Sequence, residues 1–325
     1  MRRNIFNLTL LATSIVPVAA FAQASNNEAD IKHFPETLST ENYWSADRMR
    51  NAKPMPEPEI SDYEIQKLQE EAQSVTDSST SEVFIIEPSP AKTNIDGSIP
   101  AKPALERADV NQRPFWNAGK LYFSKSDGDY VCSAQFVGHK RVLMTAAHCL
   151  RDKKTGDWYK NFMFYQRYDN SSWDKSFKIG CAAVRNDWIT GDDSWNWSKD
   201  YGFLTTFLDS NAGWLGMKSG IPYSSWTSIG YPSNYGDGKY LMKADGHMGE
   251  KLSHGVIRMD KNPMGPGSSG GAWIAELTTP TAEGNYAVGL NSYISSGYPE
   301  STFGPYFDGH VFDLHKAIKE QCRIY

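Results

Sequence analysis

No block of basic residues, no second long apolar run and no closely spaced cysteines occur in this 325-residue sequence. Without a basic patch there is little electrostatic footing for nucleic-acid binding. Beyond the N-terminus, no stretch stays apolar over the roughly 20 residues that span a bilayer. The four cysteines, at positions 132, 149, 181 and 322, lack the short pairs of a zinc site. No other metal cluster is evident, so no metal or cofactor is expected. No internal repeat is visible either. Residues 23–113 are poor in aromatics and carry 9 Lys and Arg against 17 Asp and Glu. Residues 114–325 are near neutral, with 22 against 21, and 40% hydrophobic content overall supports a real core.

What is present divides the chain into three. Arg2 and Arg3, an apolar run from about Ile5 to Val18, and small residues through Ala20-Phe21-Ala22 have the layout of a secretory signal peptide, residues 1–22. The apolar run is short for a membrane anchor. The mature protein is then expected to be soluble and either secreted or periplasmic, where disulfides persist. Residues 23–113 form an acidic leader broken by prolines in "AKPMPEPEI", "EPSPAKT" and "SIPAKPALE", and read as largely irregular. Within it, Ser61 followed by Glu64 makes a capping box, and Ile60 with Ile65 a hydrophobic staple, predicting a short helix from near Asp62. The leader reads either as a solvated linker or, by preference, as a prosegment that docks on the domain and is later removed.

From residue 114 to 325 the texture changes to short apolar runs split by Gly, Asn and Asp. "GKLYFS", "YVCSAQFVG", "RVLMTAA", "YGFLTTFL", "KLSHGVIRM", "GGAWIAEL" and "NYAVGLNSYIS" each suit a strand. The end differs: "DGHVFDLHKAIKEQC" puts Val311, Leu314, Ile318 and Cys322 on one helical face. An all-β barrel or sandwich with a C-terminal α-helix is expected. An even cysteine count in an exported domain argues for two disulfides, with three pairings open. Cys132 and Cys149, at the ends of consecutive strand-like segments, pair most easily. Cys181 with Cys322 would then staple the C-terminal helix to the barrel.

Three short motifs carry chemistry. "RVLMTAAHCL" sets His148 directly after a strand-like run and beside Cys149. "KDYGFLTTF" sets Asp200 just ahead of an apolar run; Asp187, Asp192 and Asp193 are rivals that read better as turn or cap residues. "PMGPGSSGGAW" places glycines on both sides of Ser268 and Ser269, where each costs backbone entropy on folding. A serine hydroxyl is a poor nucleophile unless a nearby base takes its proton, and a tetrahedral intermediate needs backbone N–H donors at its oxyanion. Glycines around the serine let those amides turn toward one point.

"TAAHC" and Gly267-Ser268-Ser269-Gly270-Gly271 resemble the motifs of the chymotrypsin-like serine proteases. "SIGYP" and the short gap from Asp200 to Ser269 look like the bacterial trypsin-like and glutamyl-endopeptidase branch. The resemblance covers roughly residues 115–325. It implies a double β-barrel, with Ser269 as nucleophile, His148 as general base then acid, and Asp200 as the orienting carboxylate, in the chain order His, Asp, Ser. It implies an oxyanion hole from the Gly267 and Ser269 amides and a Cys132–Cys149 bridge. In "VGLNSYIS", Ser292 matches the serine that supports the aspartate, and Tyr293 replaces the usual tryptophan of the substrate-binding strand.

Two departures qualify the resemblance. Ser268 stands where the animal enzymes carry an aspartate that pairs with a freshly cut N-terminus, so a prosegment has to inhibit differently, for example by covering the cleft. Pro263 stands where trypsin-type enzymes have Asp, while Met264 and Asn291 replace the small hydroxyl residue and histidine of the glutamyl branch. An apolar or small side chain is therefore expected in the pocket. The expected protein is a secreted monomeric serine endopeptidase acting on protein or peptide substrates, with its own prosegment as inhibitor. The rival reading is a catalytically weak homologue that holds a partner.

Overall fold

The structure, a computed structural model, describes residues 28–36, 39–74, 82–90, 105–190, 196–220, 223–279 and 283–324. The signal-peptide reading of residues 1–22 lies outside these, as do the rival acids Asp192 and Asp193. In chain order, the leader contributes β1 (Ala29–His33), β2 (Lys53–Pro54), β3 (Ile85–Ile86) and β4 (Glu106–Arg107). Then come β5 (Ala118–Lys125), β6 (Gly128–Phe136), β7 (Val142–Thr145), β8 (Lys160–Gln166), β9 (Lys175–Arg185) and β10 (Gly202–Thr206). The last group is β11 (Gly216–Lys218), β12 (Ser225–Gly230), β13 (Met242–Lys251), β14 (Val256–Asp260), β15 (Ala272–Ala275), β16 (Tyr286–Leu290) and β17 (Ser301–Pro305).

β8, β5, β6, β7, β10 and β9 pair in that order, and β9 returns onto β8, which closes a barrel. A second sheet runs β17-β14-β13-β12-β15-β16-β11, and bridges from Gly289 to Tyr306 and from Tyr293 to Phe303 fold it back on itself. The result is an all-β double barrel. β10 is buried along its whole length, with Phe203 edge-on to His315 of the C-terminal helix.

That helix spans Gly309–Gln321 with Asp308 as its N-cap, accepting from the His310 amide at 3.0 Å. Val311, Leu314 and Ile318 are buried, each burial contributing on the order of 2 kcal/mol. Cys322 joins Cys181 of β9, and Cys132 of β6 joins Cys149. One expected strand divides: "KLSHGVIRM" holds a turn at Ser253–Gly255 between β13 and β14, where His254 and Gly255 take φ of 56° and 78°. Apolar count alone does not register that reversal.

The described part of the leader is short on regular structure but woven into both sheets. β1 extends the edge of β9, β2 runs parallel to β6, β3 pairs with β11 and β4 with β13. Trp44 and Met55 enter the main core. The predicted helix spans Asp62–Ser74. Its capping box is formed, with the Ser61 amide donating to Glu64 Oε2 at 2.9 Å and the Glu64 amide to Ser61 Oγ at 3.2 Å. Ile60 and Ile65 share an apolar cluster with Leu252, Val256, Tyr293 and Phe303.

Candidate active site

β7 and β10 are antiparallel neighbours with Gly202 opposite Thr145. That register brings the residues just before β10 against those just after β7. His148 sits there in a short turn, Ala147–Cys149, and Asp200 precedes β10. The imidazole Nδ1 lies 2.6 Å from Asp200 Oδ2, and the His148 amide donates to Asp200 Oδ1 at 2.8 Å. The Ser292 hydroxyl also donates to Asp200 Oδ2. Burial alone would push the Asp200 carboxyl up; the charge of His148 and the hydrogen bonds from its ring, from Ser292 and from the His148 amide together hold it below the ordinary carboxylate range. The rival Asp187 pairs instead with Arg185 at the start of a surface turn of helix.

Ser269 enters from the second barrel, in the loop before β15. β15 pairs with β16, and the Gly270 amide donates to Asn291 O at 2.8 Å, so this loop and Ser292 are held side by side. The first barrel grips the same loop. The Ser133 amide donates to Ser269 O at 2.9 Å, Ser133 Oγ to Gly267 O at 2.9 Å, and Gln135 Nε2 to Gly270 O at 2.9 Å. Ser133 and Gln135 position the loop. Nothing in their local sequence marks them, because their partners lie more than 130 positions away.

Gly267 and Gly270 take φ of 94° and 84°. At Gly270 a Cβ would also overlap the Thr145 hydroxyl and the Ser133 carbonyl, so only glycine fits there. Among the described residues, neither the Gly267 amide nor the Ser269 amide donates to a protein acceptor. His148 Nε2 and Ser269 Oγ are likewise buried without a hydrogen-bond partner. Ser269 has 0% exposure. Both atoms a nucleophile and its base would use are thus present and unengaged, and both are covered.

Of the residues expected at the pocket, Met264 and Asn291 touch, with Asn291 Nδ2 3.8 Å from the Met264 sulfur. The Asn291 side-chain oxygen accepts from Ser228, Asn262 and Trp273 at 2.8–2.9 Å, so its carbonyl is saturated. Tyr293 is fully buried between Trp197 and Phe303. Pro263 is half-buried, its carbonyl accepting from Asn234 at 2.9 Å. A leader residue, too, was not anticipated at the site. Glu57 of the leader is buried, and its Oε1 accepts from the Ser268 hydroxyl at 2.9 Å.

Two β-barrels meeting at this set of side chains define the chymotrypsin-like double-barrel fold, and the chain is related in structure to bacterial serine proteases of that fold. Among similar solved structures is the protease Anisep from Arthrobacter nicotinovorans, 22% identical with a TM-score of 0.56, 66% of this chain covering 98% of it. Another is the thermostable serine protease AL20 from an extremophilic microorganism, 25% identical with a TM-score of 0.51, matched over 65% of this chain and 98% of that one. A Glu endopeptidase is 15% identical with a TM-score of 0.56, matched over 68% and 98%. About a third of this chain has no counterpart in them. No protein-family model matches the sequence, and no curated protein does.

Proposed function

We propose that the chain is an exported serine endopeptidase that hydrolyses peptide bonds through an acyl-enzyme. The observation that carries this reading is the buried hydrogen-bond chain from Ser292 through Asp200 to His148, together with a buried, unengaged Ser269 hydroxyl and Gly267 and Ser269 amides that donate to no acceptor among the described residues. Ser269 Oγ attacks the scissile carbonyl while His148 Nε2 takes its proton. Asp200, accepting from Nδ1, holds the tautomer that leaves Nε2 free and stabilises the imidazolium that forms. The oxyanion is received by the Gly267 and Ser269 amides, each such donor contributing about 3 kcal/mol of transition-state stabilisation. His148 then returns the proton to the leaving amine, and water repeats the cycle to release the acid and regenerate the serine.

The substrates in this reading are proteins or peptides, cut by a monomer in the periplasm or outside the cell after the signal peptide is removed. With no acid or free histidine at Pro263, Met264 and Asn291, the pocket favours an apolar or small side chain. The leader is the prosegment. The test trims the full chain with a broad metalloprotease, which phosphonates leave unlabelled, and then adds a biotinylated diphenyl phosphonate. Label is expected on the peptide containing Ser269 and absent from a Ser269→Ala variant with an unchanged Tm. Label that persists in that variant refutes the assignment.

A further inference from the structure

We propose that leader residues 53–60, "KPMPEPEI", are an intramolecular plug that lies through the catalytic groove across Ser269 and holds the chain latent, with the Glu57 side chain latched on Ser268. This rests on the serine-endopeptidase reading and adds to it the segment responsible, its path and its latch.

The path is set by hydrogen bonds on both sides of the nucleophile. On one side β2 runs parallel to β6, and the Met55 amide donates to Val131 O at 2.9 Å. Val131 adjoins Cys132, whose disulfide partner Cys149 adjoins His148. On the other side, the Ile294 amide donates to Pro58 O at 3.1 Å and the Ile60 amide to Ile294 O at 2.9 Å. Ile294 lies two residues past Ser292, which binds Asp200. Between these anchors only Pro56 and Glu57 remain to cross. Glu57 lands on Ser268, next to the nucleophile, while Pro54 stands against Gly267. The strap thus lies against both residues that precede Ser269, which is itself fully buried.

The strap is placed as a cover and not as a substrate. None of its carbonyls is bonded to the Gly267 or Ser269 amides, and it contributes no partner to Ser269 Oγ. It meets both walls in parallel register. What it brings to the centre is a side-chain carboxyl, where a substrate would bring a scissile carbonyl. Prolines at 54, 56 and 58 fix an extended backbone, which lowers the entropy lost when the strap is ordered. The amides of 55 and 60 are left to bond the walls.

The latch is built to be reversible. Glu57 Oε2 is buried without a partner, and a buried carboxyl held by one hydroxyl opposes docking. Holding the strap down therefore falls to the backbone bonds and to Ile60, which is fully buried with Tyr293 and Phe303.

The test measures the rate at which the diphenyl phosphonate labels Ser269 in the full-length chain, untrimmed and trimmed. Untrimmed wild type should label at least tenfold more slowly than trimmed. Ile60→Asp or Glu57→Lys should bring the untrimmed chain close to the trimmed rate. Should either variant fail to fold, hydrogen exchange of the intact wild type decides: the Met55, Ile60 and Ile294 amides are expected to be protected, and exchange of Met55 and Ile60 at free-peptide rates overturns the plug. Untrimmed wild type labelling as fast as trimmed also overturns it. A trimmed chain that never labels at Ser269 instead brings down the endopeptidase reading on which the plug rests.

Discussion

Replacing Glu57 with glutamine should leave the chain latent while removing the pH dependence of its latency. Burial pushes the Glu57 carboxyl up to about 8, a rise that the hydrogen bond from Ser268 only partly offsets. In a released leader the same carboxyl returns to its ordinary 4.5. Between those values the docked state keeps a proton that the released state has lost. Docking is therefore strongest below pH 4.5, and it weakens as pH rises until pH passes about 8. The slope is about tenfold per pH unit, so a rise from pH 5 to 7 costs about 3 kcal/mol, or roughly 100-fold in the docking equilibrium. A glutamine amide, like a neutral carboxyl, has one acceptor oxygen for Ser268 and a donor in place of Oε2, but it does not ionise. The assay is the ratio of untrimmed to trimmed phosphonate labelling at pH 5, 6, 7 and 7.5. Taking the ratio cancels the pH dependence of the labelling chemistry itself, and Glu59 and Asp62, the other acids of this part of the leader, are common to both proteins. The ratio should climb with pH in wild type and stay flat in Glu57→Gln. An equal climb in both would refute the reasoning.

Asp200→Asn puts an amide donor against His148 Nδ1 and favours the wrong tautomer, so kcat of the trimmed chain should fall about 10⁴-fold with KM little changed, as steady-state peptide hydrolysis would show. Ser61→Ala removes one half of the capping box and should cost helix Asp62–Ser74 about 1 kcal/mol, seen as faster hydrogen exchange there and faster labelling of the untrimmed chain only. Replacing Cys181 and Cys322 together with alanine opens a link between positions 141 apart; a loss of about 2–5 kcal/mol in a denaturant titration is expected, without change in the labelling rate of the trimmed native chain.

These outcomes follow from features that differ in how openly the sequence displays them. Most strands of the two barrels were legible as short apolar runs bounded by turn residues, and the C-terminal helix because burial on one face imposes a period on the chain. β13, "MKADGHMGEK", and β17, "STFGP", form no such run. The first buries only Ala244 and Gly246, among polar residues, and the second, though buried throughout, has Phe303 as its one large apolar side chain. The partners of the four cysteines were readable once the strand ends were placed. His148, Asp200, Ser269 and Ser292 were singled out by the likeness of their short motifs to those of the chymotrypsin-like proteases, and His148, Asp200 and Ser292 do come together in one hydrogen-bonded group. Ser133 and Gln135 were not, since their role depends on which distant loop packs over them. Asn291 is a different case. Its position in the motif suggested contact with substrate, whereas its carbonyl is spent on Ser228, Asn262 and Trp273.

The leader shows why composition misjudges a segment that is ordered by its host. "AKPMPEPEI" is acidic, proline-broken and nearly without large apolar residues, which are the marks of a chain unable to bury enough surface to hold itself. It does not have to hold itself. The free backbone groups of Val131 and Ile294 supply a ready partner on each side, and the apolar cost is met by Met55 and Ile60 alone. The features that make the segment look unfolded also suit it to this position. Proline keeps it straight, and the absence of a self-contained core lets it leave without unfolding the barrels. In the proposed plug, Glu57, a charge that the sequence offers no reason to bury, would make that departure depend on pH. Ser268, which donates to Glu57, stands where the animal enzymes carry an aspartate. In the animal enzymes the acid at that place belongs to the domain and the partner arrives on cutting. Here the acid arrives with the leader, so the same position would report the leader's presence rather than its removal.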